Sequence, residues 1–400
     1  MVDHGFSPRE LDFRLEVEEF VRRETPPGWD DRVVYWPGGY GTIPQLETAY
    51  QGLSREFSRK LDEKGWTRLS WPREYGGEGS AVKAAIVADV LSYYRVPVGG
   101  VATTICAPTI LLMGGEELKR EFLPKIARGE AGFWLGYSEP NAGSDLAALK
   151  TSAVEDGDDF IVNGRKIWSS GAHVTDYGWT LVRTDPSAPP HKGATLMIIP
   201  NDSPGVTIRP IVNICGIHSF NEVVFDNVRA PKKYVVGEVN RGFYLVMLAL
   251  QFERIAVGSG AFRRVLEELV QYAKENTRDG LPLARRPDVR KKLAVVATDI
   301  EVFYGFYWQS IRMLDQGRVP LLESSALKLV FTELSLKLAQ AAVDVLGPYG
   351  VLDKGSKHAP FGGRVGLGYL DALSGPIGAG TSEIQKNILA TRGLGLPREQ

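Results

Sequence analysis

Apolar positions along the chain change their period twice. Up to about residue 133 they recur at threes and fours, which predicts helices. Ser7-Pro8-Arg9-Glu10 combines a capping serine, a proline at the first helical position and a glutamate three residues on, so a helix starts there. Residues 54–65 keep helical spacing and end in glycine, a helix stop. The proline- and glycine-rich residues 27–41 predict an irregular stretch, and Trp71-Pro72-Arg73-Glu74-Tyr75-Gly76-Gly77 predicts a loop. From Phe133 to about Gly237 the pattern shortens to strands. Phe160-Ile161-Val162, Thr180-Leu181-Val182, Thr195-Leu196-Met197-Ile198-Ile199 and Glu222-Val223-Val224-Phe225 are separated by turn residues. Asn163-Gly164, following one of these runs, predicts a hairpin turn. From Gly242 the helical period returns, with Leu245, Leu248, Phe252, Ile255, Phe262, Leu266 and Leu269 on one stripe. Further helices are predicted at residues 286–316 and 322–346. The expected class is α+β: a helical domain over 1–133, a β-barrel or sandwich over 134–241, and a second helical domain over 242–400.

Composition narrows the setting. The chain has 400 residues, 44% hydrophobic and 24% charged, which is ordinary for a globular protein with a large core. A net charge of −1 argues against nucleic acid or an anionic membrane as the main partner. Cys106 and Cys215 stand far apart and form neither a metal pattern nor a disulfide framework, so a cytoplasmic setting is expected. The opening residues carry early acids and no apolar core, unlike a signal peptide, and no run is long enough to span a bilayer. The histidines show no ligand spacing, so no metal is expected. No Gly-x-Gly-x-x-Gly follows a strand, which sets aside a nicotinamide site.

Two motifs carry the chemistry. Gly136-Tyr137-Ser138-Glu139-Pro140-Asn141-Ala142-Gly143-Ser144-Asp145 is followed within about two dozen residues by Asn163-Gly164-Arg165-Lys166-Ile167-Trp168-Ser169-Ser170. Each serine alone reads as a turn former. Jointly, and with the whole chain around them, these stretches resemble the flavin-facing loops of the acyl-CoA dehydrogenase family. That resemblance implies an N-terminal helical domain, a middle β domain and a C-terminal four-helix bundle. It also implies FAD as cofactor and an acyl-CoA substrate. An isoalloxazine needs a flat apolar support and polar partners on its edge. Trp168 would supply the support, Ser138 and Ser170 the hydroxyls, and Leu135 and Tyr137 backbone contacts. The family commonly has threonine at both serine positions. Gly143 belongs to the same loop, and Ser144 matches a contact to the pantetheine of CoA. Thr381, Glu383 and Gln385 match the stretch that meets FAD from the C-terminal side. Gly347-Pro348-Tyr349-Gly350 resembles a Gly-Gly-x-Gly turn that serves a neighbouring subunit's FAD, with proline for one glycine. Arg278 is the nearest arginine to a pyrophosphate-binding position, displaced and without the usual phenylalanine.

The base is the informative departure. Many family members carry a glutamate just before Gly-Thr near the C-terminus, where this chain has Ala379-Gly380-Thr381. A methyl group cannot take a proton, although the backbone at Ala379 and Gly380 can still meet the thioester. Isovaleryl-CoA and long-chain dehydrogenases place their glutamate on a helix before an arginine, and Glu253-Arg254 matches that place. Glu253 is therefore the expected base, with Arg254 anchoring CoA or holding the loop near it. A solvated Glu-Arg pair on an exposed face is the plain reading of the same residues. Glu383 is expected to cap or contact cofactor instead. His218 stands where relatives approach substrate, or is a loop histidine in a hydrogen bond. The implied reaction is α,β-dehydrogenation to a trans-2-enoyl-CoA on a branched, cyclic or bulky acyl chain, with electron-transfer flavoprotein as acceptor. Bacterial relatives acting on sterol side chains have similar C-terminal ends, and some pair with a second chain. A homotetramer or an α2β2 assembly is expected. An oxygen-using oxidase or monooxygenase of the same fold, and a non-catalytic partner subunit, are the competing readings.

Overall fold

The computed structural model describes residues 5–29, 36–37, 48–96, 98–255 and 259–397, without the side chains of 48–51 and 252–255. Most of the irregular stretch expected at 27–41 lies outside the described residues. The N-terminal helices are α1 (Pro8–Glu24), α2 (Thr48–Glu63), α3 (Ala81–Tyr93), α4 (Ala107–Met113) and α5 (Glu116–Ala127). The strands follow as β1 (Phe133–Gly136), β2 (Ser152–Asp156), β3 (Asp159–Lys166), β4 (Tyr177–Arg183), β5 (Ala194–Pro200), β6 (Val206–Val212) and β7 (His218–Pro231). Then come α6 (Gly242–Ile255), α7 (Gly260–Glu275), a short β8–β9 hairpin (Thr277–Arg278, Leu281–Pro282), α8 (Pro287–Asp315), α9 (Leu321–Leu346), α10 (Arg364–Ala372) and α11 (Ser382–Ile388). Among the described residues no helix is long and apolar enough to cross a membrane.

The helix α1 starts as its capping signals require. Ser7 Oγ accepts from the Glu10 N–H at 3.3 Å, and Glu10 Oε2 accepts from the Ser7 N–H at 2.6 Å. Residues 73–75 of the expected loop wind into one 3₁₀ turn. The stripe from Leu245 to Leu269 is carried by two helices, α6 and α7, and residues 256–258 between them lie outside the described residues.

The chain forms two compact units. One gathers Met1–Pro44, Gly79–Pro97 and Arg254–Gln400. Its helices α1, α3 and α7–α10 share one core, with Ile86 of α3, Phe262 of α7, Phe303 and Tyr307 of α8 and Leu338 of α9 fully buried in it. A buried carboxylate, Asp89 on α3, is satisfied there by Arg14 at 2.8 Å, Tyr304 Oη at 2.8 Å and Ser259 Oγ at 2.6 Å. The other unit gathers Gln45–Glu78 and Val98–Glu253 and holds the sheet. Its strand order is β1-β4-β2-β3-β7-β6, with β5 also paired to β4. The strand β5 is buried along almost its whole length, as its unbroken Ala-Thr-Leu-Met-Ile-Ile run requires.

One expectation fails. Asn163-Gly164 is not a hairpin turn but lies inside β3, at a shift of register against β7. Gly164 has φ +145°, and a Cβ there would fall 2.7 Å from Thr151 Cα. The glycine serves a bulge and a close backbone approach. Asn163 Oδ1 meanwhile accepts from the Asn227 N–H on β7 at 2.9 Å. The turn joining β2 to β3 is at Gly157-Asp158, with Gly157 at φ +59°.

Candidate cofactor site

The sheet unit brings the two motif loops together. Strand β1 runs parallel to β4, from Phe133 opposite Tyr177 to Gly136 opposite Thr180. A Cβ on Gly136 would fall 2.7 Å from Thr180 Oγ1, so only glycine lets β1 close on β4 and deliver Tyr137 and Ser138. Leu135 and Ser138 are half-buried and Tyr137 is buried. Glu139 and Ala142 then exchange backbone hydrogen bonds, both 3.0 Å, around Pro140-Asn141. Beyond that turn Gly143 and Ser144 are exposed.

The second loop leaves the end of β3. The Ile167 N–H donates to the Ser138 carbonyl at 3.0 Å, which laces the loops one residue before Trp168. Trp168 has φ +61° and is 58% exposed, with its ring edge-on to Phe220 at 6.1 Å. A bulky residue in the left-handed region is strained, and such strain gathers at functional sites. Ser169 is buried, and its Oγ has no hydrogen-bond partner among the described residues. Ser170 is half-buried. An outward-facing indole beside an orphaned hydroxyl fits a flat ligand with a polar edge, as a flavin is.

Three residues that sequence reasoning passed over hold this geometry. Lys166, 0% exposed, donates from Nζ to Glu139 Oε1 at 2.8 Å and to the Tyr137 carbonyl at 3.1 Å. Glu139, 9% exposed, also accepts from the N–H groups of Lys150 (2.7 Å) and Thr151 (2.9 Å). Burial alone would raise the Glu139 pKa, but Lys166 and these N–H donors hold the carboxyl below its ordinary range. Burial pushes the Lys166 ammonium down to about 8, against the pull of Glu139. The third residue is buried Asn221 on β7. Its backbone carbonyl accepts from the Ser169 N–H (3.0 Å), and its side-chain Nδ2 donates to the Ser169 carbonyl (2.9 Å). The same side chain bonds His218 Nε2 at 2.7 Å and His173 Nδ1 at 3.1 Å, and the two imidazoles stack at 3.7 Å. His218 is thus a histidine engaged in a hydrogen bond. Glu139 and Lys166 were visible as the fixed charges of their motifs. Nothing in the sequence marks Asn221.

The other expected residues, Glu253 apart, lie on the helical unit. Ala379 has φ +53° and Gly380 φ +87°, a tight turn leading into α11. Thr381 caps that helix, its Oγ1 accepting from the Ile384 N–H at 3.2 Å. Gln385 is fully buried and donates to the Gly380 carbonyl at 3.2 Å, while its Oε1 has no partner among the described residues. That orphaned acceptor suits a ligand donor. Glu383 is exposed, and its own backbone N–H and the Thr381 hydroxyl lower its pKa. Arg278, on β8, donates to the Val345 carbonyl at 2.9 Å, near the C-terminal end of α9. A Cβ on Gly347, at φ +62°, would fall 2.7 Å from the Arg278 guanidinium, so the structure joins two positions the sequence kept apart. Gly350 is buried nearby in the same turn. Glu253 and Arg254 are placed on α6 by their backbone, and their side chains lie outside the described residues.

Three family models match the chain in order: "Acyl-CoA dehydrogenase, N-terminal domain" over residues 7–130, "middle domain" over 135–228 and "C-terminal domain" over 240–394. The acyl-CoA dehydrogenase FadE26 of Mycobacterium tuberculosis is 35% identical over 405 aligned residues, 98% of each chain. Among solved structures, the Tcur3481-Tcur3483 steroid ACAD superposes with a TM-score of 0.88 at 30% identity over 100% of both chains. The ChsE4-ChsE5 complex from Mycobacterium tuberculosis does so with a TM-score of 0.86 at 33% identity, again over 100% of both.

Proposed function

The chain belongs to the acyl-CoA dehydrogenase family and is an FAD-dependent oxidoreductase. From that premise we propose that it converts an acyl-CoA thioester to the trans-2-enoyl-CoA with Glu253 as general base. The observation that carries this reading is Ala379. At the place where many relatives keep the base, this chain has a methyl group on a left-handed turn. The nearest carboxylate to it in sequence, Glu383, is an exposed helix-terminal anion held below its ordinary pKa, which makes it a weak base. Glu253 is the remaining match to a family base position.

Glu253 accepts the α-proton of the thioester. The backbone at Ala379 and Gly380 binds the thioester carbonyl as negative charge develops on it. Trp168 and the Ser138 and Ser170 hydroxyls would hold the flavin, with Leu135 and Tyr137 contributing backbone. By the family resemblance Thr381, Gln385 and Gly143 would also contact FAD, and Ser144 would meet the pantetheine of CoA. FAD, when bound, supplies the two-electron acceptor for the β-hydride, and electron-transfer flavoprotein is the proposed next acceptor. The acyl group is branched, cyclic or bulky. Support comes from the helix-borne position of Glu253 and from the similarity to a structure named as a steroid enzyme.

The test is anaerobic titration of the purified protein with acyl-CoA thioesters while flavin absorbance is followed. Wild type should bleach. Glu253→Gln should keep flavin and ligand yet bleach roughly 10²–10⁴ times more slowly. Glu253→Gln bleaching at the wild-type rate would remove Glu253 from the mechanism.

A second reading concerns assembly. Two similar structures are named as pairs of different chains. Arg278, the candidate for a neighbour's pyrophosphate, is displaced from the usual position, lacks the usual phenylalanine beside it, and turns one N–H to its own α9. Both favour a hetero-oligomer in which a second dehydrogenase-like chain supplies that contact.

A further inference from the structure

Trp168 is held in its strained conformation from both sides. On the N-terminal side, Lys166 bonds the Tyr137 carbonyl and the Glu139 carboxylate, while the Ile167 N–H bonds the Ser138 carbonyl. On the C-terminal side, Ser169 gives its N–H to the Asn221 backbone carbonyl, a bond alanine there would keep, and takes the side-chain Nδ2–H of Asn221 on its own carbonyl. Asn221 cannot turn its amide without losing His218, His173 and Ser169 together. Two anchors therefore flank one residue whose backbone, left alone, would relax to negative φ. Between them the indole remains largely exposed. A residue kept strained and outward on both sides is a platform built before its ligand arrives.

We infer that Glu139, Lys166 and Asn221 are positioning residues that act on flavin binding through Trp168, by presetting its backbone in the flavin-free protein. None of the three need touch the cofactor. The inference rests on the reading of Trp168 as flavin support.

The test is a double-mutant cycle on FAD affinity, measured by fluorescence on deflavinated protein. Trp168→Phe is made in wild type and in Asn221→Ala, Lys166→Met and Glu139→Gln backgrounds. Each anchor variant should raise the FAD Kd by roughly 10- to 100-fold. Trp168→Phe should then cost clearly less in an anchor variant than in wild type, because the platform is already lost. Equal cost in every background would overturn the inference, since a merely structural anchor leaves the indole contribution intact. No cost of Trp168→Phe even in wild type would instead overturn the reading of Trp168 as flavin support. Hydrogen exchange on the wild-type protein covers the case in which the anchor variants do not fold. The Ile167 and Ser169 amides should already be protected without flavin. Free exchange that slows only when FAD is added would show that the platform forms on binding, and the inference falls.

Discussion

At the scale of single residues the site depends on one buried charge pair with unequal partners. The folded protein gives up the Lys166 proton at about pH 8, whereas an unfolded lysine keeps it to about 10.5. Between those values unfolding takes up a proton, so the lysine's contribution makes the fold more stable as pH rises from 8 to 10.5. Glu139 acts on the acid side. Its carboxyl stays ionised where an unfolded glutamate starts to protonate, so its contribution is lost as pH falls below the ordinary carboxylate range. Denaturant midpoints measured from pH 7.5 to 10.5 should rise for wild type relative to a Glu139→Gln/Lys166→Met double variant. A parallel pair of curves would contradict the depressed lysine. Lys166→Met alone should cost about 3–5 kcal/mol, because it strands a buried carboxylate. That the Ser138 and Trp168 loops belong together was legible, because each motif is local, and the structure laces them through the Ile167 N–H and the Ser138 carbonyl. The pairing of Glu139 with Lys166 was not, since 27 residues of chain separate two charges that only the β1–β3 geometry unites. The His173–His218 stack escaped for the same reason: no ligand spacing predicts a contact made through Asn221.

At the scale of elements, legibility follows how local the signal is. The α1 cap is written in four consecutive residues and forms as written. The helices predicted at 286–316 and 322–346 form as α8 and α9, because their apolar stripes extend over many turns. The Asn163-Gly164 dipeptide misled because a glycine that lets backbone approach backbone looks, in sequence, like one that turns a hairpin. Gly164→Ala tests the distinction. A turn position would tolerate alanine poorly through strain alone. Here the new methyl also meets Thr151, whose N–H is bonded to Glu139. The substitution should cost roughly 1–3 kcal/mol from backbone strain, with contact strain added. It should also weaken FAD binding, readable as a lowered flavin content beside the lowered Tm. A loss of stability with full flavin affinity would mean that the bulge does not communicate with the loops.

At the scale of the whole molecule, the class was legible because every segment agrees with it, while the assembly was not. Partner choice depends on surfaces that no motif marks. Light scattering with flavin stoichiometry decides it. One FAD per chain in a lone tetramer would exclude the need for a second chain. Low flavin content restored by a co-expressed homologue would establish that need. The division into two compact units has a further consequence for synthesis. The chain enters the helical unit, leaves it after Pro44, returns for Gly79–Pro97, leaves again, and comes back only at Arg254. Helices α1 and α3 must therefore wait for α7, α8 and α9 to be made before Ile86 and its neighbours find their core. At ribosomal speeds the interval is on the order of ten seconds or more. Throughout it the nascent chain carries an apolar helix surface with nothing yet to cover it, so efficient production should depend on a chaperone at the exit tunnel.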